Sequence, residues 1–278
     1  MRTGTVAAPI AAWRIAVLLL AALAAMPVLA AGETGAAPGG SAATADGVLA
    51  CMRANIPQTL TIKDIQITAS DRNGSTRNLQ GRLYASRDKD KLRAMVRISS
   101  PSDLAGAAYL LRERDGGDEM YTYLPALAKV RRVSGAAVDG SLWGTDLSYS
   151  DIKQIGNAFD GANAVLEKDE VASGRPARVL AIKPTSAESA RFSLLRTWVD
   201  VQTCVALRVD FVDGSEVRKR LTVDPKDLQQ SGTYWYATQA LMSDLKEGSQ
   251  TRLKVLGIAP NKELADRIFN PGTFYVGN

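Results

Sequence analysis

Apolar residues return at every second position through much of the chain. In LRAMVRIS, Leu92, Ala94, Val96 and Ile98 fall on one side of an extended strand, with Arg93, Met95, Arg97 and Ser99 on the other. In CVALRVDFVD, Val205, Leu207, Val209 and Phe211 alternate in the same way with Ala206, Arg208 and Asp210. Turn signals separate such runs: DRNGS at 71–75, Asp115-Gly116-Gly117, Ser173-Gly174, Asp213-Gly214 and Lys246-Glu247-Gly248. Short alternating runs at this spacing predict about 11–13 strands joined by hairpins, hence a mainly β, antiparallel protein. AVLEKDEV and TYWYATQALMSDL each read as one strand. No alternation of strands with long helices appears, so doubly wound and α/β-barrel folds are not expected.

Three short helical stretches interrupt the strands. DGVLACMRA is predicted as a helix capped by Asp46 and ended by Asn55 and Pro57, with Val48, Leu49 and Met52 on its apolar face. From Ser134 to Asn157 the alternation lapses into a small, polar, Gly-rich segment, expected to hold a loop and then a helix started by Ser148 or Ser150. ELADRIF near the C-terminus is the third.

The first 30 residues read as a secretory leader. Arg2 and Arg14 precede the apolar run IAVLLLAALAA, and Val28-Leu29-Ala30 offers a cleavage site after Ala30. The run is shorter than the roughly 20 residues a membrane span needs. No twin-Arg pair is present, so the general secretion route and a periplasmic location are expected. Residues 31–45 are Ala- and Gly-rich and read as a flexible linker, leaving 46–278 as one domain.

Composition then narrows the chemistry. The net charge is +5, and two of those charges belong to the leader. The remainder is too small and too dispersed for a nucleic-acid footprint. There is no histidine, which excludes Ser-His-Asp triads, Cys-His pairs and His-ligated zinc. Two cysteines, Cys51 and Cys204, are expected to form a disulfide in an oxidising compartment; the alternative is two separate buried thiols.

Paired carboxylates are the enzymatic route that remains. Asp115, Asp118 and Glu119 flank a Gly-Gly turn and read as a solvated hairpin tip. Asp146 and Asp151 lie beside Tyr149, where capping a short helix accounts for them. No nucleophile elbow supports a serine enzyme, while Lys-Ser and Ser-only nucleophiles stay open; no metal or cofactor is expected. The apolar faces could fill a closed core, or line a groove if the sheet stays open with helices over its concave side. Periodicity alone does not choose between these.

One further stretch bears on that choice. MYTYLPALAKVRRVSG (120–135), followed by GSLWGTDLSYSDI (140–152), resembles the signature of the LolA-like outer membrane lipoprotein-sorting protein family, in the branch that includes a treponemal periplasmic lipoprotein. The resemblance extends to ISSPSDLAGAAYLL (98–111), Val199-Asp200, ALRVDFVDGSEV (206–217), TYWYATQALMSDLKEGSQT (233–251) and IFNPGTF (268–274), in family order. Ala237 stands where the family commonly has Pro, and Ser249 where it often has a basic residue.

The resemblance implies an open antiparallel β half-barrel with short helices over a concave, apolar face. It also implies a non-enzymatic carrier of lipid or lipoprotein acyl chains between inner and outer membrane, working with a transporter of the resistance-nodulation-division type. The alternative is an envelope sensor that binds mislocalised lipoprotein or lipid. A monomer is expected. The expected ligand-binding residues are Leu92, Val96 and Ile98, the wall Tyr121, Tyr123 and Leu124, the gate Leu142 and Trp143, and Val205, Leu207 and Val209. Lys129, Arg131 and Arg132 are expected at the rim, meeting a headgroup or acidic partner, or else discouraging edge-to-edge aggregation.

Overall fold

The computed structural model describes residues 43–156, 159, 163–183, 191–259 and 266–276; the leader and most of the linker lie outside them. Helix α1 (Ala45–Ala54) comes first, followed by β1 (Thr61–Ser70), β2 (Thr76–Asp88), β3 (Lys91–Ser100), β4 (Ala108–Arg112), β5 (Glu119–Leu124) and β6 (Lys129–Val133). Helix α2 (Asp151–Ile155) leads to β7 (Ala164–Leu166), β8 (Glu170–Ala172), β9 (Arg175–Ile182), β10 (Leu194–Asp200), β11 (Ala206–Asp213) and β12 (Glu216–Thr222). The chain continues through β13 (Leu228–Ser231), β14 (Tyr234–Ala237), β15 (Gln239–Asp244) and β16 (Ser249–Ala259).

Fourteen of these strands form one antiparallel sheet in the order β6-β5-β4-β3-β2-β1-β16-β15-β12-β11-β10-β9-β7, with β8 also pairing β9. The two ends do not meet, so the sheet is open. Two meanders run outward from a central seam where β1 pairs β16, Ile62 opposite Ala259 and Ser70 opposite Gln250. Register shifts at Asp64/Ile65, Gln80/Gly81, Trp198/Val199 and Phe211/Val212 bend the strands. Gly81 is required at its bulge, because a Cβ there would collide with the Arg97 carbonyl.

The curvature gives the sheet an inner and an outer face. The inner face of one wing packs Ile65, Leu79, Leu92, Val96, Ile98, Tyr109 and Leu111 against Leu142, Trp143 and Ile152. On the other wing Val179, Leu180, Leu207, Val209, Phe211 and Leu221 pack against Val48, Leu49 and Met52 of α1. On the outer face the C-terminal residues Ile268, Phe269 and Phe274 cover Tyr84, Met95, Ala108 and Leu110.

The local expectations hold with three differences, and a fourth, the ELADRIF helix, lies partly outside the described residues. Thr44, not Asp46, caps α1, accepting the Gly47 N–H at 3.1 Å. AVLEKDEV is two short strands, because Glu167, Lys168 and Asp169 loop out and Glu167 and Asp169 reach Arg196 and Arg178. TYWYATQALMSDL breaks at Thr238, whose N–H donates to Asp227 O (2.7 Å) while its carbonyl accepts from Val255 (2.8 Å). The first part pairs with β13 as a separate ribbon and the second joins the main sheet. Of ELADRIF only the 3-10 turn Asp266–Phe269 is described.

Candidate functional site: an apolar cavity under a stitched cover

Ser148 starts α2 through a reciprocal cap. Its hydroxyl accepts the Asp151 N–H (3.3 Å), and the Asp151 carboxylate accepts the Ser148 N–H (2.7 Å). Ahead of it, Ser141 pairs with Ser148, and Leu142 N–H donates to Leu147 O at 2.7 Å. The tip of this small hairpin places Trp143 at φ 54 and Gly144 at φ 76. Two successive left-handed residues suit Gly at the second position, but a bulky Trp is seldom held there. Trp143 is buried and its indole N–H has no hydrogen-bond partner in the structure.

This segment and α1 are stitched to both wings. Asp146 accepts hydrogen bonds from Ser249 and Thr251 of β16, the latter at 2.7 Å. Lys219 of β12 pairs with Asp151. Arg53 of α1 makes a forked bond to Glu113 (2.9 and 3.1 Å), and Lys153 reaches Asp118 at 2.9 Å and Glu113 at 3.7 Å. Burial works to raise the Glu113 pKa, but Arg53, the Leu92 N–H and Lys153 outweigh it and hold the carboxyl below its ordinary value. Cys51 of α1 is bonded to Cys204 in the β10–β11 turn, with Cα atoms 5.7 Å apart, as expected from the sequence.

Of the carboxylates considered for acid–base work, Asp118, Asp146 and Asp151 hold the cover, while Asp115 stays exposed at its hairpin tip. Asp115 pairs with Lys91 and Glu119 with Arg112 and Arg114.

Between sheet and cover lies a cavity of about 100 Å³. Ile65, Ile67, Ala94, Leu221, Val223 and Leu253 form much of its floor. Leu92, Val96, Leu142 and Val205 also line it. Ile98, Leu207 and Val209 share the inner face but are packed into the core beside it, as is Trp143. Leu124 packs at the margin of the inner-face cluster.

Tyr121 and Tyr123 lie elsewhere. Strand alternation turns them outward, where Tyr123 stacks on Tyr275 at 4.3 Å between ring centres. They and Leu124 therefore do not form one wall. Lys129 and Arg131 and Arg132 are exposed on β6, an edge strand of the sheet, and none lines the cavity.

The sequence reading missed the β13–β14 ribbon. Trp235, Tyr236 and Ala237 line the cavity, with Tyr234 bonded to Thr61 (3.0 Å) and the Trp235 N–H to Asn55 (2.7 Å). It also missed Lys63. In TLTIKDIQITAS this lysine interrupts the inward series Thr61, Ile65, Ile67 and Ala69, a break in pattern that was available.

Fold and site define an open half-barrel that keeps an apolar hollow beneath a short helical cover. Three solved structures share this architecture. A domain from Vibrio parahaemolyticus, assigned to outer membrane lipoprotein sorting, is 22% identical over 84% of this chain and 98% of its own, with TM-score 0.75. A DUF1329 family protein from Desulfovibrio piger is 23% identical over 81% of this chain and 95% of its own, with TM-score 0.73. A LolA superfamily protein from Nitrosomonas europaea is 15% identical over 82% of this chain and 98% of its own, with TM-score 0.61. At these identities the likeness is one of fold. No curated protein matches the chain in sequence. A family model described as an uncharacterized protein matches residues 90–274. The chain belongs to that family, and its fold is the one these three structures share.

Proposed function

We propose that this protein is a periplasmic, non-enzymatic carrier of a lipid or lipoprotein acyl chain between the inner and outer membranes. The observation that supports this most is the apolar cavity, kept between a curved sheet and a cover instead of being closed by side chains. Burying an acyl chain gives about 0.8 kcal/mol per CH₂, so a sixteen-carbon chain gains on the order of 12 kcal/mol. Transfer through water without such a shelter is prohibitive. The disulfide supports an oxidising compartment. A membrane transporter of the resistance-nodulation-division type would load or unload it.

The cavity is smaller than the roughly 300–1,000 Å³ of pockets that hold drug-sized ligands. Loading therefore requires the cover or the β13–β14 ribbon to move. The left-handed Trp143 and its unpartnered indole give the 141–148 hairpin a reason to shift.

Native mass spectrometry of gently purified protein tests this reading. Bound lipid, or uptake of the uncharged probe N-phenyl-1-naphthylamine, supports it. An empty protein that refuses the probe and co-purifies with a membrane regulator would instead favour a sensor.

A further inference from the structure

Among the described residues Lys63 is the one charged side chain that lines the cavity. It projects from β1 into the inward-facing series and lines a cavity whose other lining residues include no acid and no other base. Among the described residues it has no hydrogen bond and no ion pair. Its ammonium rests 4.8 Å from the centre of the Tyr236 ring. Elsewhere Lys219 pairs with Asp151 and Lys153 with Asp118 and Glu113, while Arg97, its Nε unpartnered, donates to the Phe274 and Val276 carbonyls. Lys63 is half-buried, and withdrawing an ammonium even partly from water without a counter-ion carries a cost that one aromatic face offsets only in part.

Its position suits a headgroup site. Lys63 is opposite Leu83 on β2, and Val255 is opposite Ile65 on β16. Lys63, Leu83, Ala85, Tyr236 and Val255 are the half-buried part of the wall, whereas Ile65, Ile67, Leu92, Val96 and Leu253 are buried. The cavity thus opens to solvent near Lys63 and is driest away from it. Burial lowers the lysine to about 8, which still leaves it protonated at pH 7.

We infer that Lys63 binds the polar end of the cavity's ligand, and that this ligand is an amphiphile ending in an anionic oxygen group, a carboxylate or a phosphate. The inference rests on the carrier reading. The chain would lie along Ile65, Ile67 and Leu253, and the anion would supply the missing counter-ion at the mouth.

Displacement of N-phenyl-1-naphthylamine by a set of ten-carbon competitors tests this on the purified protein. The uncharged probe reads the cavity itself. Decanoate and decyl phosphate should displace it at concentrations about tenfold below those of decanol, the size of a hydrogen bond to a charged group. Decyltrimethylammonium should compete no better than decanol. Lys63→Met should still take up the probe but lose the preference for anions, and Lys63→Arg should keep that preference. An anion preference that survives in Lys63→Met, or that is absent from the wild type, overturns the inference while leaving the cavity intact. A wild-type protein that binds no probe overturns the carrier reading itself. Preference for only one of the two anions identifies the headgroup.

Discussion

The ammonium of Lys219 lies 2.7 Å from Asp151 Oδ2, and both side chains are buried. The pair joins β12 of one wing to the first turn of α2 in the cover. Asp151 also takes the Ser148 N–H, so one carboxylate serves the helix start and the wing contact together.

Asp151→Asn should therefore destabilise the protein by about 3–5 kcal/mol, because it strands a buried cation. Adding Lys219→Met should restore part of the loss. Urea denaturation of the two single variants and the double variant measures the coupling, and simple additivity would show that the pair is not linked in this way.

Cys51 and Cys204 are 153 residues apart, so their bond closes most of the domain. In the chain-entropy model, breaking it costs about 5 kcal/mol. The Cys51→Ala/Cys204→Ala variant should melt earlier yet still fold, since Arg53–Glu113 continues to hold α1. Thiol counting on the unfolded, unreduced protein should find neither cysteine free.

Lys63 sets a pH signature. Its folded pKa, about 8, is below its ordinary 10.5, so between these values the unfolded chain binds more protons. Its cost to folding is full below about pH 8 and disappears as pH rises to 10.5. The residues that face it from β2, β14 and β16 (Leu83, Tyr236 and Ile258) include no carboxylate to offset this. Lys63→Met should then be more stable than the ligand-free wild type at pH 7, with the gap closing above about pH 10. Parallel denaturation curves across that range, with a constant gap, would place the effect in packing.

Trp143 and Trp235 separate two ways of opening the cavity. If the 141–148 hairpin moves, Trp143→Ala should change probe affinity by about 1–2 kcal/mol, a typical coupling size, while the fold persists. If the β13–β14 ribbon moves, Trp235→Ala should carry that effect instead. Fluorescence titration of both variants decides, and unchanged affinity in Trp143→Ala would make the hairpin packing and not a gate.

Much of this architecture is written locally. Alternation at Leu92, Val96, Leu207 and Val209 assigns the inner face, since side chains on a strand point to opposite sides in turn. Gly-containing turns mark the hairpins, and Ser148 with Asp151 marks the start of α2, because these depend on a few neighbouring residues. The same rule places Tyr121 and Tyr123 outward from Leu124, yet only the tail packing on them makes that outer face a buried surface too.

Other features depend on contacts between residues far apart in the chain. The pairing of β1 with β16 keeps the sheet open at its other ends, and no short segment encodes it. Whether an inward apolar residue fills the core, like Leu207, or borders the cavity, like Val205, depends on how closely the cover approaches. Lys63 shows the division most plainly. Its break in the pattern is visible in ten residues of sequence, but its solitude is not. That required β2, β14 and β16 to surround it without bringing a carboxylate, because the cost of a buried charge is set by what every neighbouring element fails to supply.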